Sequence, residues 1–229
     1  MTIGAPIPHE SATLHVTGAA RYVDDLPVPE GTLHLAFGLS AIAHGDVTAM
    51  ELAAVRAAPG VVAVLTAADL PFANDVSASA QDEPLLATGR VHYAGQPLFL
   101  VVATSHLAAR KAARLGCVDY APLPAILTLD QALAAKSRYE GGPVVWQVGD
   151  AGAAIAGAAH IIEGAFEIGG QEHFYLEGQA ALALPGDEDM AVCASTQHPT
   201  EIQHKVAAAL GWPLHAVRVE MRRMGGGFG

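Results

Sequence analysis

The chain has 229 residues, with 12 Lys and Arg against 23 Asp and Glu, so its formal charge is -11. This balance argues against a dedicated nucleic-acid binder and against a protein of anionic membrane surfaces. Hydrophobic residues make up 52% and charged residues 15% of the chain, which excludes intrinsic disorder as its main state. At roughly 150 residues per domain, the length predicts one or two domains.

The two cysteines, Cys117 and Cys193, are far apart and have no CxxC partner. They therefore indicate neither a disulfide framework nor a zinc or iron–sulfur site, and we interpret both as small buried apolar groups. The first ten residues do not resemble a secretory signal, and no apolar run approaches the roughly 18 residues of a membrane-spanning helix. We therefore expect a soluble, cytoplasmic protein.

Short β-like runs alternate with short Ala-rich helices along the chain. Strands are predicted at residues 33–39, 61–65, 98–103, 117–120, 160–168, 174–184, 190–194 and 217–221. Helices are predicted at residues 53–58, 105–115, 128–135, 150–158 and 199–210. Because these elements do not form regular βαβ units, we predict an α+β fold rather than a doubly wound α/β fold.

Local signals refine the ends of these elements. Ser105 and Thr128 suit the N-caps of two helices, and Gly116 suits the left-handed position after the first of them. Prolines and glycines accumulate between residues 122 and 143, where we expect a domain boundary.

Common catalytic motifs are missing from the sequence. It contains no phosphate-binding loop, dinucleotide-binding turn, HExxH zinc helix or GxSxG nucleophile elbow. The 11 histidines are scattered, and His198 and His204 lie on different faces of their predicted helix, so metal ligation by histidine is not indicated.

Three segments could still carry a site. The glycine-rich run 225–229 follows a predicted strand and is either a flexible tail or a ligand cradle; the residues alone slightly favour the tail. The segment 195–199 joins a strand to a helix, where helix capping by Thr196 is favoured over anion binding. In the segment 169–177, Glu172 and Glu177 could act as bases, but hydrogen bonding to turns is favoured.

Six segments together give the sequence a family resemblance. They are HVTGAARYVDDLPVPEGTLH at 15–34, GVVAVLTAADLP at 60–71, YAGQPLFLVVA at 93–103, GGQEHFYLE at 169–177, STQ at 195–197 and RMGGGFG at 223–229. In this order they resemble the N-terminal part of the molybdenum-binding subunit of bacterial xanthine dehydrogenases, within the molybdenum hydroxylase family. The GGQEHFYLE and VDDLP forms favour this branch over carbon monoxide dehydrogenase.

The resemblance implies a domain organisation and an activity. It implies an N-terminal extension at 1–14, an α/β-hammerhead domain at 15–122 and the beginning of a molybdopterin-binding domain at 123–229. The implied reaction oxidises hypoxanthine or xanthine to urate, with water as the oxygen source. Electrons would leave through 2Fe-2S clusters and FAD to NAD. These carriers would be bound by, or reached through, an iron–sulfur/FAD partner subunit. The resemblance implies a heterotetramer with two copies of each subunit.

The resemblance also assigns residues to a molybdenum–molybdopterin site. Gln197 would donate a hydrogen bond to an oxo ligand of the metal, and Gly226 and Gly227 would line the cofactor. The backbone N–H groups of Phe228 and Gly229 would approach the metal ligands and the pterin, so the implied metal contacts are Gln197 and Phe228. The family's catalytic Glu and its substrate-binding Glu and Arg have no counterpart among these 229 residues. We therefore expect no catalytic residue within the chain and no turnover by this chain alone.

Two alternatives stay open from the sequence. An aldehyde oxidase-type hydroxylase is the nearest enzyme alternative, since the residues that would distinguish its substrate are not in the chain. A non-catalytic hammerhead module that binds a partner subunit is the alternative from another class.

Overall fold

The computed structural model of the chain describes residues 3–78, 80–138 and 142–229. Its helices are α1 (Ala12–Val16), α2 (Ala53–Arg56), α3 (His106–Ala113), α4 (Leu129–Ala134), α5 (Ala151–Ala156) and α6 (Pro199–Leu210). Its strands are β1 (His34–Leu39), β2 (Gly45–Glu51), β3 (Val61–Thr66), β4 (Arg90–Val91), β5 (Pro97–Ala103), β6 (Cys117–Pro122), β7 (Ala181–Pro185), β8 (Met190–Ala194) and β9 (Val217–Glu220). The mixture of helices and mainly antiparallel strands confirms the predicted α+β class.

The first sheet is built around β5, in the order β1-β5-β3. β5 is antiparallel to both neighbours, and its sequence PLFLVVA is almost continuously apolar because both of its faces are covered or half-covered. Helix α3 packs against this sheet, and the Ser105 hydroxyl accepts the Ala108 N–H at 3.2 Å, which confirms the predicted cap.

The second sheet has the order β4-β2-β6 and contains a strand that the sequence did not predict. β2 has the sequence GDVTAME, whose polar residues and Gly obscure the apolar alternation of a strand.

The ring of Phe99 in the adjacent core packs against the backbone of Gly38 and Gly116. The predicted left-handed cap at Gly116 is wrong, since Gly116 has no positive φ; glycine stands there because a Cβ would strike the Phe99 ring.

The third sheet, β7-β8-β9, supports the C-terminal loop. β8 pairs antiparallel with β7 and parallel with β9, and a parallel pair needs a crossover, which α6 supplies. The predicted bounds of β8 and α6 are confirmed residue for residue. The predicted cap Thr196 is wrong, because the N-cap is His198, whose Nδ1 accepts the Glu201 N–H at 3.2 Å.

The described chain divides into two compact units, one formed by residues 1–123 and 174–229 and the other by residues 124–173. The second unit holds α4 and α5, and none of its described residues is buried. The predicted strand at 160–168 is wrong, since these residues form no regular element, and the predicted strand at 174–184 begins only at Ala181.

Two further expectations concern burial. Cys117 is exposed and Cys193 is half-buried, so the prediction that both are buried is wrong. Cys117 begins β6, a strand whose burial pattern is largely exposed. No helix among the described residues has both the length and the apolar character needed to cross a bilayer.

Candidate functional site

The glycine-rich loop after β9 meets the turn between β8 and α6. The Gly229 N–H donates a hydrogen bond to Gln197 Oε1 at 2.8 Å, across 32 positions of sequence. A Cβ added to Gly227 would lie 3.1 Å from the Cγ, Cδ and Oε1 atoms of Gln197, tighter than ordinary packing permits. The structure therefore brings together three of the predicted site residues, and it does so because Gly227 carries no side chain.

Hydrogen bonds fix the turn that presents Gln197. The Ser195 hydroxyl accepts the Ala180 N–H at 2.9 Å, and Thr196 Oγ1 accepts the His198 N–H at 3.0 Å. Gln197 is exposed, and its side-chain oxygen is occupied by the Gly229 N–H. Since only the oxygen of an amide accepts a hydrogen bond, the NH₂ group of Gln197 is left as a donor, and it has no partner in the part of the chain that the structure describes.

Gly226 and Phe228 form the other side of the loop. A Cβ on Gly226 would lie 2.6 Å from both Tyr175 Cβ and an atom of the Phe228 ring. The Phe228 and Tyr175 rings lie with their centroids 6.4 Å apart and a tilt of 35°. All five predicted site residues thus belong to one loop and the turn beside it, and the Phe228 ring contributes by packing on Tyr175.

Glu177 fastens the start of this loop. Its side chain is only 8% exposed, with Oε1 accepting the Val23 N–H at 2.8 Å and Oε2 accepting the Gly225 N–H at 3.3 Å. The Leu176 N–H also donates to the Gly225 carbonyl at 3.1 Å. The predicted structural role is therefore confirmed for Glu177, whereas Glu172 is exposed in the other unit.

Arg223 joins the start of the loop to the N-terminal turn at residues 21–25, a contact that sequence reasoning missed. Arg223 Nη1 donates to the Arg21 carbonyl at 2.8 Å, and Asp25 Oδ2 accepts the Tyr22 N–H at 2.9 Å. Arg223 Nε is buried without a hydrogen-bond partner among the described residues. The available signal was that RYVDD and RMGGGFG belong to two of the segments that carry the family resemblance.

The electrostatics before the loop are dominated by an exposed ion pair. Arg222 Nε lies 2.6 Å from Glu220 Oε1, and this hydrogen bond lowers the pKa of Glu220. No group of three or more His, Cys, Asp or Glu side chains within residues 3–78, 80–138 and 142–229 could hold a metal ion.

A cavity of about 550 Å³ lies beside the site, between the N-terminal turn and the third sheet. Its lining is mainly apolar, with Leu182, Leu184 and Cys193, and also contains Arg21, Arg222 and Arg223. Gln197 and residues 226–229 do not line it. The predicted site is instead the exposed surface of the loop and the turn.

The donor set suits a bulky ligand that bears oxo or phosphate oxygens. The amide NH₂ of Gln197 is directed by its own fixed oxygen, and glycines at 226 and 227 keep side chains away from the backbone. Preorganised donors of this kind stabilise negative charge on oxygen with little reorganisation. A molybdenum–molybdopterin group fits these residues by chemistry.

Comparison with known proteins supports the same conclusion. Residues 17–124 match the family described as "Aldehyde oxidase and xanthine dehydrogenase, a/b hammerhead domain", and residues 135–229 match the "Molybdopterin cofactor-binding domain". Xanthine dehydrogenase of Calliphora vicina is 38% identical over 99% of this chain, and Aldehyde oxidase 1 of Cavia porcellus is 40% identical over 99%.

Solved structures extend the likeness to the fold. Quinoline 2-oxidoreductase of Pseudomonas putida 86 superposes with a TM-score of 0.82 at 29% identity, covering 99% of this chain and 31% of that one. Aldehyde oxidoreductase of Desulfovibrio gigas gives a TM-score of 0.81 at 28% identity, covering 97% of this chain and 27% of that one.

The fold is therefore an α/β-hammerhead followed by a molybdopterin-binding domain, as the resemblance implied. The chain belongs to the molybdenum hydroxylase family, which includes the xanthine dehydrogenases and aldehyde oxidases. It spans 17% of the length of the two curated relatives named above.

Proposed function

We propose that the chain forms part of the molybdenum-binding portion of a purine hydroxylase that oxidises hypoxanthine or xanthine to urate. Residues 15–122 are its hammerhead domain, and residues 123–229 begin its molybdopterin-binding domain. Electrons leave through 2Fe-2S clusters and FAD to NAD on a partner subunit, within a cytoplasmic heterotetramer. The observation that carries the proposal is the hydrogen bond from Gly229 to Gln197, which joins the two segments expected to hold the cofactor.

The proposed roles follow from the contacts of each residue. The Gln197 NH₂ donates to an oxygen ligand of the cofactor, and Gly229 holds the amide in the orientation that permits this. Gly226 and Gly227 let the loop lie against Tyr175 and Gln197, and the backbone of Phe228 and Gly229 approaches the ligand. When bound, the molybdenum–molybdopterin group supplies the oxidising centre, which receives two electrons for each carbon hydroxylated.

The proposal is tested on the complete enzyme, purified with all chains that associate with this one. We expect molybdenum by metal mass spectrometry and xanthine-dependent formation of NADH. Gln197→Ala should lower kcat on the order of 100-fold, as expected for the loss of a preorganised donor. Gln147→Ala is the matched control, because the Gln147 amide is exposed, lies in the other unit and donates only to the Gly149 carbonyl. Absence of molybdenum from the complete enzyme would overturn the proposal.

An aldehyde oxidase-type activity is the second candidate. It is favoured by the 40% identity to Aldehyde oxidase 1 of Cavia porcellus, which is as high as the identity to xanthine dehydrogenase of Drosophila subobscura. Comparing kcat/KM for xanthine and for an aromatic aldehyde on the same enzyme decides between them. A higher value for the aldehyde would replace the purine assignment and leave the cofactor assignment in place.

A further inference from the structure

The nine residues 160–168, HIIEGAFEI, have the pattern of an amphipathic strand but no strand partner in the part of the chain that the structure describes. Side chains alternate in an extended chain, so Ile162, Phe166 and Ile168 share one face while Glu163 and Glu167 share the other. The three apolar side chains are 97%, 92% and 88% exposed. We call residues 160–168 the docking strand.

The backbone of the docking strand also lacks partners among the described residues. None of its N–H or C=O groups has a hydrogen-bond partner among the described residues. A run with β-branched and aromatic side chains gains most when its apolar face is covered and its backbone is paired. Its pattern is therefore that of a strand whose apolar face and backbone groups are still to be covered.

The charge of this region indicates what the covering sheet must carry. From residue 139 to residue 204 the sequence contains no Lys or Arg, and the docking strand itself carries two glutamates. A second copy of this chain fits poorly, because pairing two docking strands would set Glu163 and Glu167 against like charges with no cation nearby. A sheet edge bearing Lys or Arg is complementary.

The relatives indicate where such an edge can come from. The matched region is 31% of the quinoline 2-oxidoreductase chain and 17% of the Calliphora vicina xanthine dehydrogenase, so most of each relative lies outside it. We propose that residues 160–168 pair with an unpaired, Lys- or Arg-bearing strand from a further part of a molybdenum hydroxylase polypeptide, outside these 229 residues. This proposal rests on the proposed function and names a partner of the same assembly.

Hydrogen–deuterium exchange tests the pairing directly. We compare the amides of 160–168 in the 229-residue chain and in the complete enzyme. They should exchange freely in the chain alone and at least 100-fold more slowly in the complete enzyme. Unchanged exchange in a complete enzyme that contains molybdenum would overturn the docking strand and leave the proposed function standing. Slow exchange of these amides in a complete enzyme that lacks molybdenum would support the pairing of residues 160–168 and overturn the proposed function.

Variants on the apolar face and on the acidic face of the docking strand test separately what each face contributes to the protection. Phe166→Asp should abolish most of the protection in the complete enzyme, and Val148→Asp, at an equally exposed apolar position of the same unit, should leave it unchanged. The double change Glu163→Lys with Glu167→Lys should reduce protection at least 10-fold. If residues 160–168 were protected equally in the double variant and in the unsubstituted enzyme, the inference that the partner strand bears Lys or Arg would be overturned. A dimer of the 229-residue chain with 160–168 protected, seen by analytical ultracentrifugation and exchange, would overturn the proposed partner.

Discussion

The central strand β5 and the docking strand both have sequences that favour an extended chain, but their environments are opposite. β5 reads PLFLVVA, and Val101 and Ala103 within it are fully buried; the docking strand reads HIIEGAFEI, and all of its residues are exposed. β5 has a hydrogen-bonded neighbour on each side, whereas the docking strand has none among the described residues. Apolar content therefore sets what a segment can bury, and the availability of a partner sets whether it does.

The largest expected effect comes from truncating one phenylalanine on each side of this comparison. Phe99, in β5, is 2% exposed and is held between glycine backbones, so Phe99→Ala should lower the free energy of unfolding by about 3–5 kcal/mol. Phe166 is 92% exposed, so Phe166→Ala should change it by less than about 0.5 kcal/mol in the same chain.

Urea denaturation of the two variants and the unsubstituted chain gives both numbers. A large loss in Phe166→Ala would show that the docking strand already packs within this chain, and the comparison would then fail. A small loss in Phe99→Ala would contradict the close packing of its ring between Gly38 and Gly116.

A second effect compares a buried carboxylate with an exposed one. Glu177→Ala leaves the N–H groups of Val23 and Gly225 without their acceptor, and an unsatisfied buried donor costs about 1–3 kcal/mol. Glu177→Gln keeps one oxygen acceptor and should fall between Ala and Glu. Glu163→Ala, at an exposed position of the docking strand, should be neutral within about 0.5 kcal/mol in the 229-residue chain. If Glu177→Ala and Glu163→Ala lowered the free energy of unfolding equally, the hydrogen bonds of Glu177 would not stabilise the start of the loop.

Sequence reasoning succeeded where the signal is local. The strand at 190–194 and the helix at 199–210 have clear periodicity and clear terminators, and their bounds are confirmed. The cap of that helix was misassigned, since Thr196 and His198 can both accept an N–H and only the backbone geometry decides between them. β2 was missed because its apolar residues are interrupted by polar ones.

The candidate site depends on contacts between distant residues, which local physics does not reveal. The residues 225–229 taken alone favour a flexible tail, and only the family resemblance linked them to Gln197, which lies 32 positions before Gly229. The contact of Glu177 with Val23 spans 154 positions, so its carboxylate could be assigned a structural role but not a partner. The sequence predicts a strand at 160–168, and its alternating pattern is the same whether or not a partner covers it.

The smallest expected effect is a pH dependence of stability that arises from the contacts of Asp75 with Ser77 and Lys205. Asp75 accepts a hydrogen bond from the Ser77 hydroxyl at 2.6 Å and faces the Lys205 ammonium at 3.3 Å, and these contacts, the first above all, lower the pKa of Asp75. A carboxyl whose pKa is lowered by folding adds stability above its unfolded pKa of about 4, and this contribution is lost as the pH falls through the folded pKa.

Ser77→Ala and Lys205→Met should therefore each raise the pKa of Asp75 towards its ordinary value, because each variant removes a contact that lowers it. Carboxyl carbon chemical shifts followed from pH 7 to pH 2 measure the pKa of Asp75 in each variant. Asp75→Asn should remove this part of the acid sensitivity of the melting temperature. An unchanged pKa of Asp75 in both variants would contradict the role of these two contacts.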